Sequence, residues 1–166
     1  TQGYSSAASD VYKRQGEIKM IRKFVPEDRE DYIRFSTEFY NSSAVDKPVP
    51  REHFEQGFDE MMRSDVYVQG YMLVCDGNNV GYCVTMKTYS VEAGGITIWI
   101  DELFVLEEYR SKGLGRELFK YIEENGDKKL RRIRLEVELE NGRAISLYKK
   151  MGFEPAPYDG MWKTIL

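Results

Sequence analysis

An arginine and two glycines at fixed spacing, Arg110-Ser111-Lys112-Gly113-Leu114-Gly115, follow an apolar run that carries Asp101-Glu102-Leu103-Phe104-Val105. The order is strand, polar turn, helix. Such a corner suits close approach of backbone to a phosphate. Glycine lacks Cβ, so Gly113 and Gly115 let main-chain N–H groups converge on an anion. The helix that begins there adds unpaired donors and the positive end of its dipole. A lone Gly-x-Gly is also an ordinary tight turn, so the flanking elements matter. Asp101 and Glu102 are a second chemical feature. They interrupt Trp99-Ile100 and Leu103-Phe104-Val105, and a carboxylate in a buried strand is costly unless paired or used. The third is Asn141-Gly142-Arg143-Ala144-Ile145-Ser146-Leu147-Tyr148-Lys149-Lys150-Met151-Gly152-Phe153. On its own Tyr148 reads as a packed aromatic at helical spacing beside Ala144, Leu147 and Met151.

The elements that must position these residues follow from periodicity. Ile18–Val25 alternates and predicts a strand. Pro26-Glu27-Asp28 opens a helix with early acids, which Asn41-Ser42-Ser43 breaks. A second helix is expected over Arg51–Arg63. Strands follow at Val66–Cys75 and Asn79–Tyr89, joined by the hairpin signal Asp76-Gly77-Asn78. The long strand Ile96–Leu106 leads into a helix over Leu114–Asn125, whose Leu114, Leu118, Phe119 and Ile122 fall on one face. Arg131–Glu138 predicts a strand, Asn141–Met151 a helix and Met161–Leu166 a closing strand. The early hairpins imply antiparallel pairing, and strand–helix–strand from Ile96 to Glu138 implies a parallel pair. The expected class is therefore α/β: a mixed, mostly antiparallel sheet with a central parallel pair and helices on both faces.

With both motifs in view, the chain resembles the GNAT superfamily of N-acetyltransferases. The first motif is similar to its pyrophosphate loop, Arg/Gln-x-x-Gly-x-Gly/Ala, and the second to its Asn-x-x-Ala-x-x-Leu-Tyr-x-x-x-Gly-Phe segment. The close resemblance covers roughly residues 99–153. It implies the acyl-CoA N-acyltransferase fold, acetyl-CoA as co-substrate and no metal. It also implies that the strands Ile96–Leu106 and Arg131–Glu138 splay apart around the cofactor's pantetheine arm.

The resemblance further implies residue roles. Arg110, Ser111, Lys112, Gly113, Leu114, Gly115 and Arg116 would wrap the pyrophosphate. Phe104 and Val105 would offer main-chain groups, and Asn141 would contact the pantetheine, although helix capping alone accounts for an asparagine there. Tyr148 would protonate the departing sulfur, since a phenol of ordinary pKa near 10 holds its proton at neutral pH. Asp101 is the favoured base. Because neighbours on a strand face opposite ways, Glu102 is read as a second acid that attracts an ammonium, or as an ion-pair partner. Glu136 is a further candidate, read with Arg132, Arg134 and Glu138 as a charged strand face. Phe35, Tyr40, Tyr89 and Glu92 are the expected substrate contacts, with core packing the bland alternative for Phe35. The implied activity is acetyl transfer to a small cationic amine. Acetylation of protein N-termini and idle acyl-CoA binding are the alternatives.

Composition fits that reading. The chain has 166 residues and a formal net charge of −4, which suits one domain. No lysine- or arginine-rich block marks a nucleic-acid partner, and no apolar run reaches the ~18 residues of a membrane span. Cys75 and Cys83 sit in apolar runs and read as reduced thiols in a cytoplasmic protein. With His53 the single histidine, a metal site is not expected. The sequence does not fix the oligomeric state; the resemblance makes a homodimer one open assembly, as dimers are common among members of that family. Residues 5–15, Ser-Ser-Ala-Ala-Ser-Asp-Val-Tyr-Lys-Arg-Gln, resemble the translated end of a sequencing adapter. Residues 1–19 are therefore expected to be a non-native leader and residues 20–166 the acetyltransferase domain.

Overall fold

A computed structural model of the chain describes residues 17–42, 49–157, 161, 163 and 164. Residues 1–16, most of the expected leader, lie outside these. The strands are β1 (Lys19–Lys23), β2 (Val68–Cys75), β3 (Asn78–Ser90), β4 (Gly95–Val105) and β5 (Leu130–Leu135), and the helices are α1 (Arg29–Tyr40), α2 (Arg51–Arg63), α3 (Leu114–Asn125) and α4 (Gly142–Lys150). The strands form one sheet in the order β1-β2-β3-β4-β5. All neighbours are antiparallel except β4 and β5, which are parallel. The chain divides into two compact units, one ending at Leu135 and one beginning at Glu136.

In the first unit, local chemistry explains the elements. The β2–β3 turn places Asp76 at φ 49° and Gly77 at φ 80°. Two left-handed central residues match the right-handed twist of the strands they join. Helices α1 and α2 pack on one face of the sheet through an aromatic-rich cluster of Phe24, Tyr32, Phe35, Phe54, Phe58, Tyr82 and Phe104. Helix α3 buries Leu114, Leu118, Phe119 and Ile122, the stripe its period predicts. Tyr121 of α3 meets Tyr71 of β2 edge-on, with ring centroids 5.9 Å apart. Alternation puts Tyr71 on the side opposite Met72 and Val74 of the aromatic cluster, so α3 covers the other face. Cys75 and Cys83 are free and buried, and burial pushes the Cys83 thiol well up. In the second unit, Met161, Lys163 and Thr164 of the expected closing strand carry no strand structure, and the rest of that segment lies outside the described residues.

Asp28 ties the start of the first unit together. It is 2% exposed and accepts bonds from Arg22 Nη1 and Nη2 at 2.6 and 2.8 Å and from the Val25 N–H at 2.8 Å. Burial acts to raise its pKa, but the bonds and charge of Arg22 outweigh it and hold the carboxyl below its ordinary value. A carboxyl lowered in the folded state stabilises fully above its unfolded pKa and loses that contribution as pH falls through the folded one. Asp28→Asn leaves the Arg22 charge without its partner. A loss of about 3 kcal/mol is expected, as for other broken buried pairs. Urea denaturation at pH 7 measures it, and the difference from the parent protein should shrink towards pH 3.

Candidate active site

The site grows from an irregularity in β4. Val84 of β3 pairs with Glu102, and Thr85 pairs with Ile100. Asp101 is therefore the extra residue of a β-bulge. Strict alternation would set Trp99 and Glu102 on opposite faces. The bulge shifts the phase, because Trp99 pairs with Met86 and Glu102 with Val84. Met86, Val84 and Tyr82 alternate along one regular strand, so they share a face. Trp99 and Glu102 thus both lie on the side covered by α1 and α2. Asp101 is exposed and Glu102 buried. Glu102 therefore shares the Trp99 face, which simple alternation would have given to Asp101.

Glu102 is 8% exposed, and two phenols hold it. Tyr82 Oη donates to Oε2 at 2.6 Å and Tyr40 Oη donates to Oε1 at 2.8 Å. Burial raises the Glu102 pKa, the two phenol bonds oppose that rise, and the Asp101 charge adds to it. Burial and the nearby carboxylates push Tyr40 and Tyr82 up as well, so both remain protonated donors. Tyr82 packs against Phe104 and Phe35 with centroids 6.1 and 6.4 Å away. A packed aromatic wall therefore fixes the angle at which Glu102 is held.

β4 also outruns its parallel neighbour. The β4–β5 ladder runs from Ile96–Leu130 to Ile100–Leu135, whereas β4 continues to Val105. Along Asp101–Val105 the edge of β4 that faced β5 has no rung to that strand. Main-chain donors and acceptors on such an edge can pair with an extended, amide-containing ligand as a strand would.

The corner after β4 has the backbone its glycines forecast. Gly113 is the N-cap of α3 at φ 87°, ψ 7°, with no side chain bonded across the helix end. Ser111 also has a left-handed backbone, φ 66°. The first i→i−4 bond of α3 is Glu117 N–H to Gly113 C=O, 3.1 Å. The N–H groups of Leu114, Gly115 and Arg116 precede it and point out of the helix start. Two of the basic side chains nearby, Arg110 and Lys112, have partners within the protein. Arg110 Nε donates to the Val105 carbonyl at 2.9 Å. Lys112 Nζ lies 2.6 Å from Glu17 Oε1 and 4.8 Å from the Tyr109 ring centroid. An anion placed at this helix start would meet the backbone donors of residues 114–116.

Among the expected substrate contacts, Tyr40 reaches Glu102 directly. Phe35 is fully buried in the core, so it acts on the site only through Tyr82 and Phe104. Tyr89 is exposed, on the β3–β4 hairpin. Glu92, on the same hairpin, receives both Arg132 nitrogens, Nη1 at 3.2 Å and Nη2 at 3.3 Å. Tyr82, Trp99 and Arg134 complete the surroundings and were not singled out by sequence. The Arg134 guanidinium lies 4.1 Å above the Trp99 ring.

In the second unit, Asn141 caps α4, its Oδ1 accepting from Ala144 N–H at 3.1 Å. The helix ends in a Schellman motif. Gly152, at φ 87°, donates to Lys149 O at 3.1 Å, and Phe153 N–H donates to Tyr148 O at 3.0 Å. Phe153 then folds back so that its ring lies 5.7 Å from that of Tyr148, the apolar contact that accompanies this cap. The Gly-Phe ending thus fixes the tyrosine it follows. Glu136 is exposed at the start of this unit.

A model of the Acetyltransferase (GNAT) family matches residues 29–153. The putative [ribosomal protein bS18]-alanine N-acetyltransferase of Bacillus subtilis (strain 168) is 30% identical over 120 residues, 69% of this chain and 70% of that protein. The spermine/spermidine N(1)-acetyltransferase of the same organism is 29% identical over 92 residues, 53% of this chain and 60% of that protein. Among solved structures, a possible acetyltransferase from Clostridium difficile 630 superposes with a TM-score of 0.76 at 20% identity, covering 90% of this chain and 99% of that one.

Proposed function

The chain belongs to the Acetyltransferase (GNAT) family and is an acetyl-CoA-dependent N-acetyltransferase, and from that premise we propose that its acceptor is a small cationic amine. The observation that carries this reading is the acidic pair at the β4 bulge, exposed Asp101 beside buried Glu102, next to the stretch where β4 outruns β5. An ammonium is drawn to two carboxylates, and one of them is accessible enough to take its proton. Similarity to a spermine/spermidine N(1)-acetyltransferase supports a small amine. The relative named for a ribosomal-protein alanine keeps a protein N-terminus as the second reading, which the acidic pair favours less.

In the proposed mechanism the backbone N–H groups of residues 111–116 hold the pyrophosphate of acetyl-CoA, and the edge of β4 that extends past β5 pairs with its pantetheine. Asp101 accepts a proton from the ammonium, leaving a neutral nitrogen lone pair. The main-chain donors of β4 near Phe104 and Val105 stabilise negative charge developing on the acetyl oxygen. A C–N bond forms as the C–S bond breaks. Tyr148 gives its phenolic proton to the departing sulfur, so CoA leaves as the thiol; the acylated nitrogen sheds its second proton to water as the amide forms, and that proton balances the one Tyr148 takes back. Glu102 stays beneath, orienting Tyr40 and adding negative potential.

A thiol-release assay with acetyl-CoA and a panel of amines tests the function. Amine-dependent release is expected. CoA binding without release across the panel would favour an idle acyl-CoA module. Asp101→Asn tests the base. Without the carboxylate, neutral amine must come from solution, where an alkylammonium has a pKa near 10. The kcat/KM profile should therefore shift to higher pH, and an unmoved profile would exclude Asp101 from proton removal.

A further inference from the structure

The acidic pair is one end of a row whose other end is basic. Trp99 and Glu102 share a face, and their β3 partners Met86 and Val84 stand two residues apart, about 7 Å along the strand. Arg134 is the β5 neighbour of Trp99, and its guanidinium stacks 4.1 Å above that ring. Stacking restrains a long side chain and leaves the edge donors of a rigid fork available for a carboxylate. Arg132 lies two residues earlier, on the same side of β5, and its charge is met by Glu92 through both terminal nitrogens. Among the described residues, no carboxylate lies within ion-pair distance of Arg134.

Resting on the acetyltransferase reading above, we infer that Arg134, held on Trp99, is a specificity-determining residue that selects amines carrying a carboxylate. The ammonium lies at Asp101 and Glu102, and the carboxylate lies at the guanidinium one strand across. Backbone positions two residues along a strand and one strand across stand on the order of 8 Å apart, a gap that a lysine-length chain can span. A diamine or polyamine would instead press a second cation against Arg134, and that repulsion discriminates as effectively as the attraction. The shared chemistry is a primary amine and a carboxylate on one short chain.

The test compares lysine with cadaverine, which differ only by the carboxylate, and with lysinamide, which keeps the head group but masks its charge. With the native protein, kcat/KM for lysine should exceed that for either analogue by at least tenfold, chiefly through KM. In Arg134→Gln the lysine-to-cadaverine ratio should collapse, and in Arg134→Glu it should invert. Lysinamide equal to lysine, cadaverine preferred by the native protein, or a preference that survives Arg134→Gln in a protein with a native circular dichroism spectrum would each overturn the inference and leave the acetyltransferase reading standing. No acetyl transfer to any amine would instead strike at that reading. Calorimetric titration of the CoA-loaded protein then decides the inference. Tighter binding of lysine than cadaverine, abolished by Arg134→Gln, upholds it, and equal binding overturns it. If Arg134→Gln does not fold, Trp99→Leu takes its place, since loss of the stacking platform should erode the same ratio.

Discussion

Replacing Tyr148 by phenylalanine should lower kcat about 10²-fold, the usual scale of a lost general acid, and leave the dissociation constant for CoA unchanged. The substitution leaves the bonds that cap and close α4 in place. Asn141 caps the start of α4 through Ala144. The helix end is closed by main-chain bonds from Gly152 to Lys149 and from Phe153 to Tyr148. The phenyl ring that remains still meets Phe153. What disappears is one O–H. Without a proton donor, sulfur must leave as a thiolate, and the cost falls on the chemical step rather than on binding. Single-turnover thiol release and a CoA titration measure the two quantities separately. An unchanged kcat removes Tyr148 from the reaction. An equal loss in CoA affinity assigns it to binding.

The residues that make helices and turns were legible because their signals are local. Helix α2 occupies Arg51–Arg63, as its period predicts, and the Asp76-Gly77 turn takes the left-handed backbone that its residue types favour. The backbone of the turn into α3 was legible for the same reason: Gly113 sits at an angle that suits glycine. Features that depend on two strands meeting were harder to see. Glu136-Val137-Glu138 continues the alternation of β5, yet the strand ends at Leu135, where its last rung to β4 lies. Alternation along β4 carries no mark of the extra residue at Asp101. The sides of Trp99 and Glu102 could therefore be assigned only from the register against β3. The same register brings Tyr82 to Glu102 across 20 residues of sequence, a partnership no spacing announces. Arg132 and Arg134 read as a solvated strand face. Their commitments to Glu92 and Trp99 emerge only once β4 and β5 lie side by side.

Gly113→Val is expected to weaken CoA binding by about 10–100-fold. Gly113 has φ 87°, and a Cβ added there would meet nothing within 4 Å. The penalty is therefore conformational rather than a matter of crowding. A β-branched residue resists the left-handed region, and holding it there costs on the order of 1–3 kcal/mol. The variant can bear that strain when ligand binds, or relax it by turning the peptide planes on either side. Relaxation re-aims the N–H groups of residues 113 and 114, which precede the first hydrogen bond of α3 and have no intrahelical partner. Either course is read as lost affinity, since each 1.4 kcal/mol is tenfold. Leu114, Leu118, Phe119 and Ile122 still bury the inner face of α3, so the helix should stay docked and the melting temperature should change little. Calorimetry with CoA, beside a thermal melt, separates the two effects. Undiminished affinity in a folded Gly113→Val protein would show that this corner does not hold the pyrophosphate. A matching drop in melting temperature would instead make Gly113 a structural glycine.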